Sequence, residues 1–104
     1  MPRKKNKPVT PVNPTKQEWT FLSNYAHVLI CLYRDPTTRL RDIAIHVGIT
    51  ERAVIRLIED LESASILVRS KEGRRNTYKI HENISLRHKL ESHKTIGDLL
   101  RLLK

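Results

Sequence analysis

Residues 40–61, LRDIAIHVGITERAVIRLIEDL, constrain this chain more than any other stretch. Apolar residues recur there at helical spacing on both sides of one glycine, a pattern that fits two short helices joined by a tight turn. Ile43 and Ala44 form the apolar side of the first helix, and Val47, Gly48 and Ile49 form the turn. The second helix then turns Val54, Leu57, Ile58 and Leu61 inward. Helices that cross steeply need a small side chain at their closest approach, and Ala44 supplies it. The turn favours a residue that tolerates positive φ, and Gly48 is the only glycine nearby. Thr50 stands where a hydroxyl can accept from a free N–H of the second helix, a cap worth roughly 1 kcal/mol. The outward face of that helix carries Glu51, Arg52, Ile55, Arg56 and Glu59.

Such a pair of helices looks like a helix-turn-helix, which places one helix in the major groove of DNA. The chain continues into Ile66, Leu67 and Val68, then Arg69, Ser70 and Lys71. A turn signal follows at residues 72–76, Glu-Gly-Arg-Arg-Asn, and Thr77, Tyr78, Lys79 and Ile80 alternate polar with apolar. This spacing predicts a β-hairpin with a basic tip directly after the second helix. Arg39 and Leu40 are placed to add a short third strand.

On these motifs residues 19–81 resemble the winged helix-turn-helix transcriptional regulators of the MarR and ArsR type. The resemblance implies a mostly α fold with a small β-hairpin, an α+β winged helix, with one further helix at the C-terminus. It also implies binding to double-stranded DNA, with residues 50–64 as the recognition helix and residues 72–76 as the wing. Arg52 and Arg56 project together from adjacent turns, and arginine pairs bidentately with guanine O6 and N7. Thr50 at the helix N-terminus would meet a phosphate. Glu51 would accept from cytosine N4 or simply complement the helix dipole, and Ile55 would touch a thymine methyl. Arg74, Arg75 and Asn76 at the wing would reach the adjacent backbone or minor groove, and Arg39 and Arg41 would grip the backbone. Regulators of this kind act as repressors by occupying an operator.

Charge agrees with a polyanionic partner. The net charge is +9, from 20 Lys and Arg against 11 Asp and Glu. The first sixteen residues hold Arg3, Lys4, Lys5, Lys7 and Lys16 and no acid, so the rest carries 15 basic groups against 11 acidic ones. The domain is therefore mildly basic, and the tail carries much of the excess. Charge alone suits nucleic acid or an anionic membrane surface. No apolar run reaches the length of a membrane span, and the basic, polar start does not read as a signal peptide. A single cysteine allows no intrachain disulfide and fits a reducing cytoplasm, and the resemblance implies a place there beside the nucleoid.

Three segments follow. Residues 1–16 contain four of the five prolines and little to bury, and read as a disordered basic tail or as a minor-groove arm. Residues 17–81 are the DNA-binding domain, opening with a helix over 17–35 whose buried face is Leu22, Tyr25, Ala26, Leu29, Ile30 and Tyr33. Asp35-Pro36 ends that helix. Residues 82–104 close the chain with a leucine-rich helix over 95–104. Its stripe of Ile96, Leu99, Leu100 and Leu103 is expected to form a homodimer, as terminal helices do in the resembled families. A dimer would set two recognition helices roughly 34 Å apart, on successive major grooves.

Other readings carry less. With three glycines, no phosphate loop and no nucleophile beside a histidine base in a local signature, the chain does not read as an enzyme. Cys31 lies off the apolar stripe near His27 and Arg34, where nearby cations would lower its pKa and suit a redox switch. His81, His88 and His93, with Glu82 and Glu91, have zinc-type side chains but irregular spacing, so neither metal nor cofactor is expected. The chain is short for a regulator with a small-molecule effector. Two rival functions remain: a winged helix serving as a protein-interaction module, and a sequence-tolerant architectural nucleic-acid binder favoured by the tail charge.

Overall fold

The computed structural model describes residues 19–104; the tail expected over residues 1–16 lies outside them. The elements run α1 (Asn24–Arg34), α2 (Leu40–Val47), α3 (Glu51–Ser63), β1 (Leu67–Glu72), β2 (Arg75–Ile80) and α4 (Ile96–Leu102). This is an α+β fold of four helices and one antiparallel hairpin, compatible with a winged helix.

Helix α1 is the centre of the packing, touched by α2, α3, α4 and β2. It begins at Asn24, later than the spacing predicts, and Trp19 and Phe21 stack edge-to-face on each other ahead of it. Its fully buried side chains are Val28, Leu29 and Leu32, whereas Tyr25 of the expected stripe is 40 % exposed. The single stripe fails because the middle of α1 is apolar on nearly every side. A helix covered by several neighbours buries more than one face. It stops where expected: the Asp35 carboxylate accepts from the N–H and hydroxyl of Thr37, and Pro36 follows. Those two bonds hold the Asp35 pKa below the ordinary carboxylate value.

The α2–α3 turn forms as expected. Gly48 has φ 87°, and the N–H groups of Gly48 and Ile49 both donate to Ala44 O at 2.8 and 3.0 Å. Thr50 caps α3, accepting from Ala53 N at 3.0 Å. Ile43, Ala44, Val54, Ile58 and Leu61 are buried between the helices and α1, and Leu57 is half-buried. Each such aliphatic side chain contributes about 1.5–3 kcal/mol on burial.

Helix α3 ends in a Schellman turn built on a serine: Ile66 N donates to Leu61 O and Ser65 N to Glu62 O, with Ser65 at φ 65°. The turn delivers Ile66 and Leu67 into the core and starts the hairpin. Strand partners run from Leu67–Ile80 to Glu72–Arg75. The connection is thus only Gly73-Arg74, with Gly73 at φ 66°, the positive value that a primed hairpin turn requires at its first position. The expected third strand does not form. Arg39 is instead the N-cap of α2 and Leu40 its first residue, because the chain must turn into the helix there. A single backbone bond, Tyr78 N to Pro36 O at 3.1 Å, joins that stretch to β2.

After the hairpin, Ser85 bridges Thr95, Ile96 N donates to Ile84 O and Gly97 N to Glu82 O. A capping box starts α4: Asp98 N donates to Thr95 Oγ1 and Thr95 N to Asp98 Oδ2. Gly97 is needed for close approach, since a Cβ there would lie 2.8 Å from Glu82 Cβ. Ile96 and Leu100 are buried in the chain's own core, and α4 lies on α1. Of the four residues expected at a dimer seam, these two are therefore spent on the monomer. Leu99 and Leu103 are half-buried, and Leu102 is 80 % exposed. No helix among the described residues is long and apolar enough to cross a membrane.

Two turns give opposite expectations. Ser65→Gly removes the left-handed strain on an L-residue but adds unfolded-chain entropy, so urea denaturation should show a net gain of about 0.5 kcal/mol. Gly97→Ala should lose about 1–3 kcal/mol, because the added methyl meets Glu82.

Candidate nucleic-acid interface

The outward face of α3 is as its spacing predicts. Glu51, Arg52, Arg56 and Glu59 are exposed, and Ile55 is 42 % exposed among them. The Thr50 hydroxyl accepts from the Ala53 N–H, which leaves its own O–H to donate to an anion.

The charged side chains fall into two groups. Arg34 donates to Leu103 O, Arg69 pairs with Glu62 at 3.2 Å, and Arg101 pairs with Glu82 at 3.1 Å and Asp98 at 2.8 Å. None of these three arginines was a candidate for DNA. Among the described residues Arg39, Arg41, Arg52, Arg56, Arg74 and Arg75 are exposed and form no ion pair. An arginine without a carboxylate partner keeps its fork of donors for an external anion.

Helix α3 also carries Glu51, Glu59, Asp60 and Glu62, which would oppose a phosphate. Two of them are tethered at their own edges. Glu62 is held by Arg69, and Asp60 Oδ2 accepts from the Tyr25 hydroxyl at 2.6 Å. Asp60 is four residues beyond Arg56, a spacing that brings opposite charges together on a helix surface. That carboxylate bonds to Tyr25 of α1, and Arg56 forms no ion pair among the described residues. The bond to Asp60 is the largest of the influences raising the Tyr25 pKa, while Arg56 and Arg87 act to lower it.

The hairpin departs from the expected wing in detail. Only Gly73 and Arg74 form the tip; Arg75 and Asn76 belong to β2. Arg75 sits across from Glu72 and lines an open cavity between α1 and α2 together with Asp35, Thr38 and Arg39. Asn76 is half-buried. Burial pushes the Tyr78 pKa up. Arg87 was missed by the sequence reading. It is exposed, forms no ion pair among the described residues, and its charge reaches the Tyr25 hydroxyl together with that of Arg56. No local motif marks it, because only the fold brings the chain after β2 back beside α3.

The sensor readings weaken. Cys31 is half-buried against the core, and burial raises its thiol pKa more than Arg34 lowers it, the reverse of an activated thiolate. His81 Nδ1 meets Ser65 O, His88 Nδ1 accepts from Leu90 N, and Glu82 is held by Arg101. No three His, Cys, Asp or Glu side chains gather as a metal site among the described residues.

The Tyr25–Asp60 bond has a pH signature. A raised phenol pKa means the bond stabilises the fold fully below the ordinary value of 10.0 and fades as pH rises through the higher folded value. Asp60→Asn should bring the Tyr25 titration down, which ultraviolet or NMR titration would follow against the unchanged Tyr78. A Tyr25 pKa unmoved by the substitution would show that the bond does not form. No family model matches this chain, and no curated protein is similar to it.

Proposed function

We propose that this chain is a winged helix-turn-helix protein that binds double-stranded DNA sequence-specifically, as a transcriptional regulator acting by occupying its site. In this reading α3 lies in the major groove with Arg52 and Arg56 toward base edges, and Ile55 toward a thymine methyl. The hairpin lies along the adjacent backbone, with Arg74 foremost and Arg39 and Arg41 on neighbouring phosphates.

One observation carries the reading: among the described residues the six arginines nominated from the sequence form no ion pair, and neither does Arg87, whereas Arg69 and Arg101 are paired with carboxylates and Arg34 donates to a backbone carbonyl. Duplex DNA carries one negative charge per roughly 1.7 Å of axis, and unpaired guanidinium groups on one small domain answer that charge. A homodimer meeting through the exposed side of α4, at Leu99, Leu102 and Leu103, extends the proposal to a two-fold symmetric site. A cytoplasmic, nucleoid-associated location follows from the same reading.

Arg56→Ala should cost about 1–3 kcal/mol of discrimination at one base pair while leaving non-specific binding nearly intact. Arg74→Ala should weaken all duplexes alike and reduce the salt slope by about 1. Fluorescence anisotropy against a preferred and a scrambled duplex separates the two. Unchanged base preference in Arg56→Ala would remove α3 from the major groove.

A further inference from the structure

Residues 85–95 form a closed loop between the hairpin and α4. Ser85 bridges Thr95, and Leu86 N donates to Lys94 O at 2.9 Å. Within it Glu91 N donates to His88 O and Lys94 N to Glu91 O, both at 2.8 Å, and Leu90 N donates to His88 Nδ1 at 3.0 Å. The loop is thus shaped by its own hydrogen bonds. It displays Arg87, Lys89 and Lys94 with a single acid, Glu91, and two histidines, His88 and His93. All are exposed, and none forms an ion pair among the described residues.

Position gives this charge a purpose. The base of the loop, Ser85 to Arg87 with Glu91, shares a groove with Tyr25, Asp60 and Ala64. Arg87 lines that groove with Asp60, Leu61, Ser63 and Ala64, so the loop begins against the C-terminal end of α3. No residue of β1, β2 or their turn lines this groove, although Ile66, just before β1, does. Helix α1 turns Asn24, His27 and Cys31 toward the cavity that holds Arg39 and Arg75, and Tyr25, Ala26 and Leu29 toward the groove that holds the loop. Those two sets of residues stand on different faces of α1, so Arg75 and the base of the loop lie on different sides of that helix, with the loop at the C-terminal end of α3. A helix seated in a major groove has a phosphate backbone on each side of it.

We propose that loop 85–95 is a second basic arm, which holds the DNA backbone beside the C-terminal end of α3, with Arg87 at its root. This arm rests on the DNA-binding reading above. It touches phosphates and sugars, not base edges, and so adds affinity without sequence preference.

The test compares the full chain with Arg87→Ala/Lys89→Ala/Lys94→Ala on a selected duplex and a random duplex across a salt series. The substituted side chains are exposed, so the thermal melt should be unchanged. Binding to both duplexes should weaken equally, and the slope of log K against log salt should fall by about 2–3, at close to 0.9 for each phosphate no longer neutralised. In the parent, bound duplex should also protect Lys89 and Lys94 from acetylation. If the parent binds duplex while the variant keeps its slope and both lysines stay reactive, the arm is wrong and the recognition helix stands. If the parent binds no duplex at any salt, arm and DNA reading fall together.

Discussion

Everything in this fold leans on α1. Val28 and Leu32 are at most 1 % exposed, and α2, α3, α4 and β2 each contact the helix that carries them. A small domain buries a limited fraction of its surface, so one shared apolar rod is an economical way to close a core. Burial on several sides also fixes geometry. Helix α3 meets α1 through Val54, Ile58 and Leu61 and must therefore turn Arg52, Ile55 and Arg56 outward. The α2–α3 crossing is set by Gly48 and the doubly bonded Ala44 carbonyl, and the direction of β1 by the Ser65 turn.

Electrostatics follow from that packing. Because Tyr25 stands on α1 across from the end of α3, its hydroxyl reaches Asp60, the carboxylate four residues beyond Arg56. Because β1 leaves α3 at the Schellman turn, Arg69 returns to Glu62. The ion pair offsets the charge of Glu62 and the hydroxyl holds Asp60 in place, both near the C-terminal end of α3, while Arg52 and Arg56 on its earlier turns form no ion pair among the described residues. Exposed ion pairs add little to stability, typically below about 1 kcal/mol. Their consequence here lies in which charges remain free.

Local chemistry was legible in the sequence. The glycine turn, the Thr50 cap, the α3 inner face, the proline stop of α1 and the hairpin after α3 depend on residues within a few positions of one another, and each is present. What depends on distant partners was not legible. The buried face of α1 could not be read from one stripe, because α4 and β2 return to cover further sides. Ile96 and Leu100 looked like a dimer seam, because nothing local shows that α1 receives them. Arg75 was assigned to the wing tip, although the two-residue turn leaves it in β2. Arg87 went unnoticed because residues 82–93 carry no periodicity. Ser65 gave no signal either, since a serine in the left-handed region is held there by the two backbone bonds that close the helix.

The most direct test of the central claim is selection of duplexes by the full chain from a random pool, followed by anisotropy titration across salt. A DNA-reading α3 should return a defined site, two-fold symmetric if the protein pairs, bound at least about 10³ times more tightly than random duplex and with a steep salt dependence. A pool that emerges as random as it began, or a chain that binds no duplex at low salt, would contradict the claim.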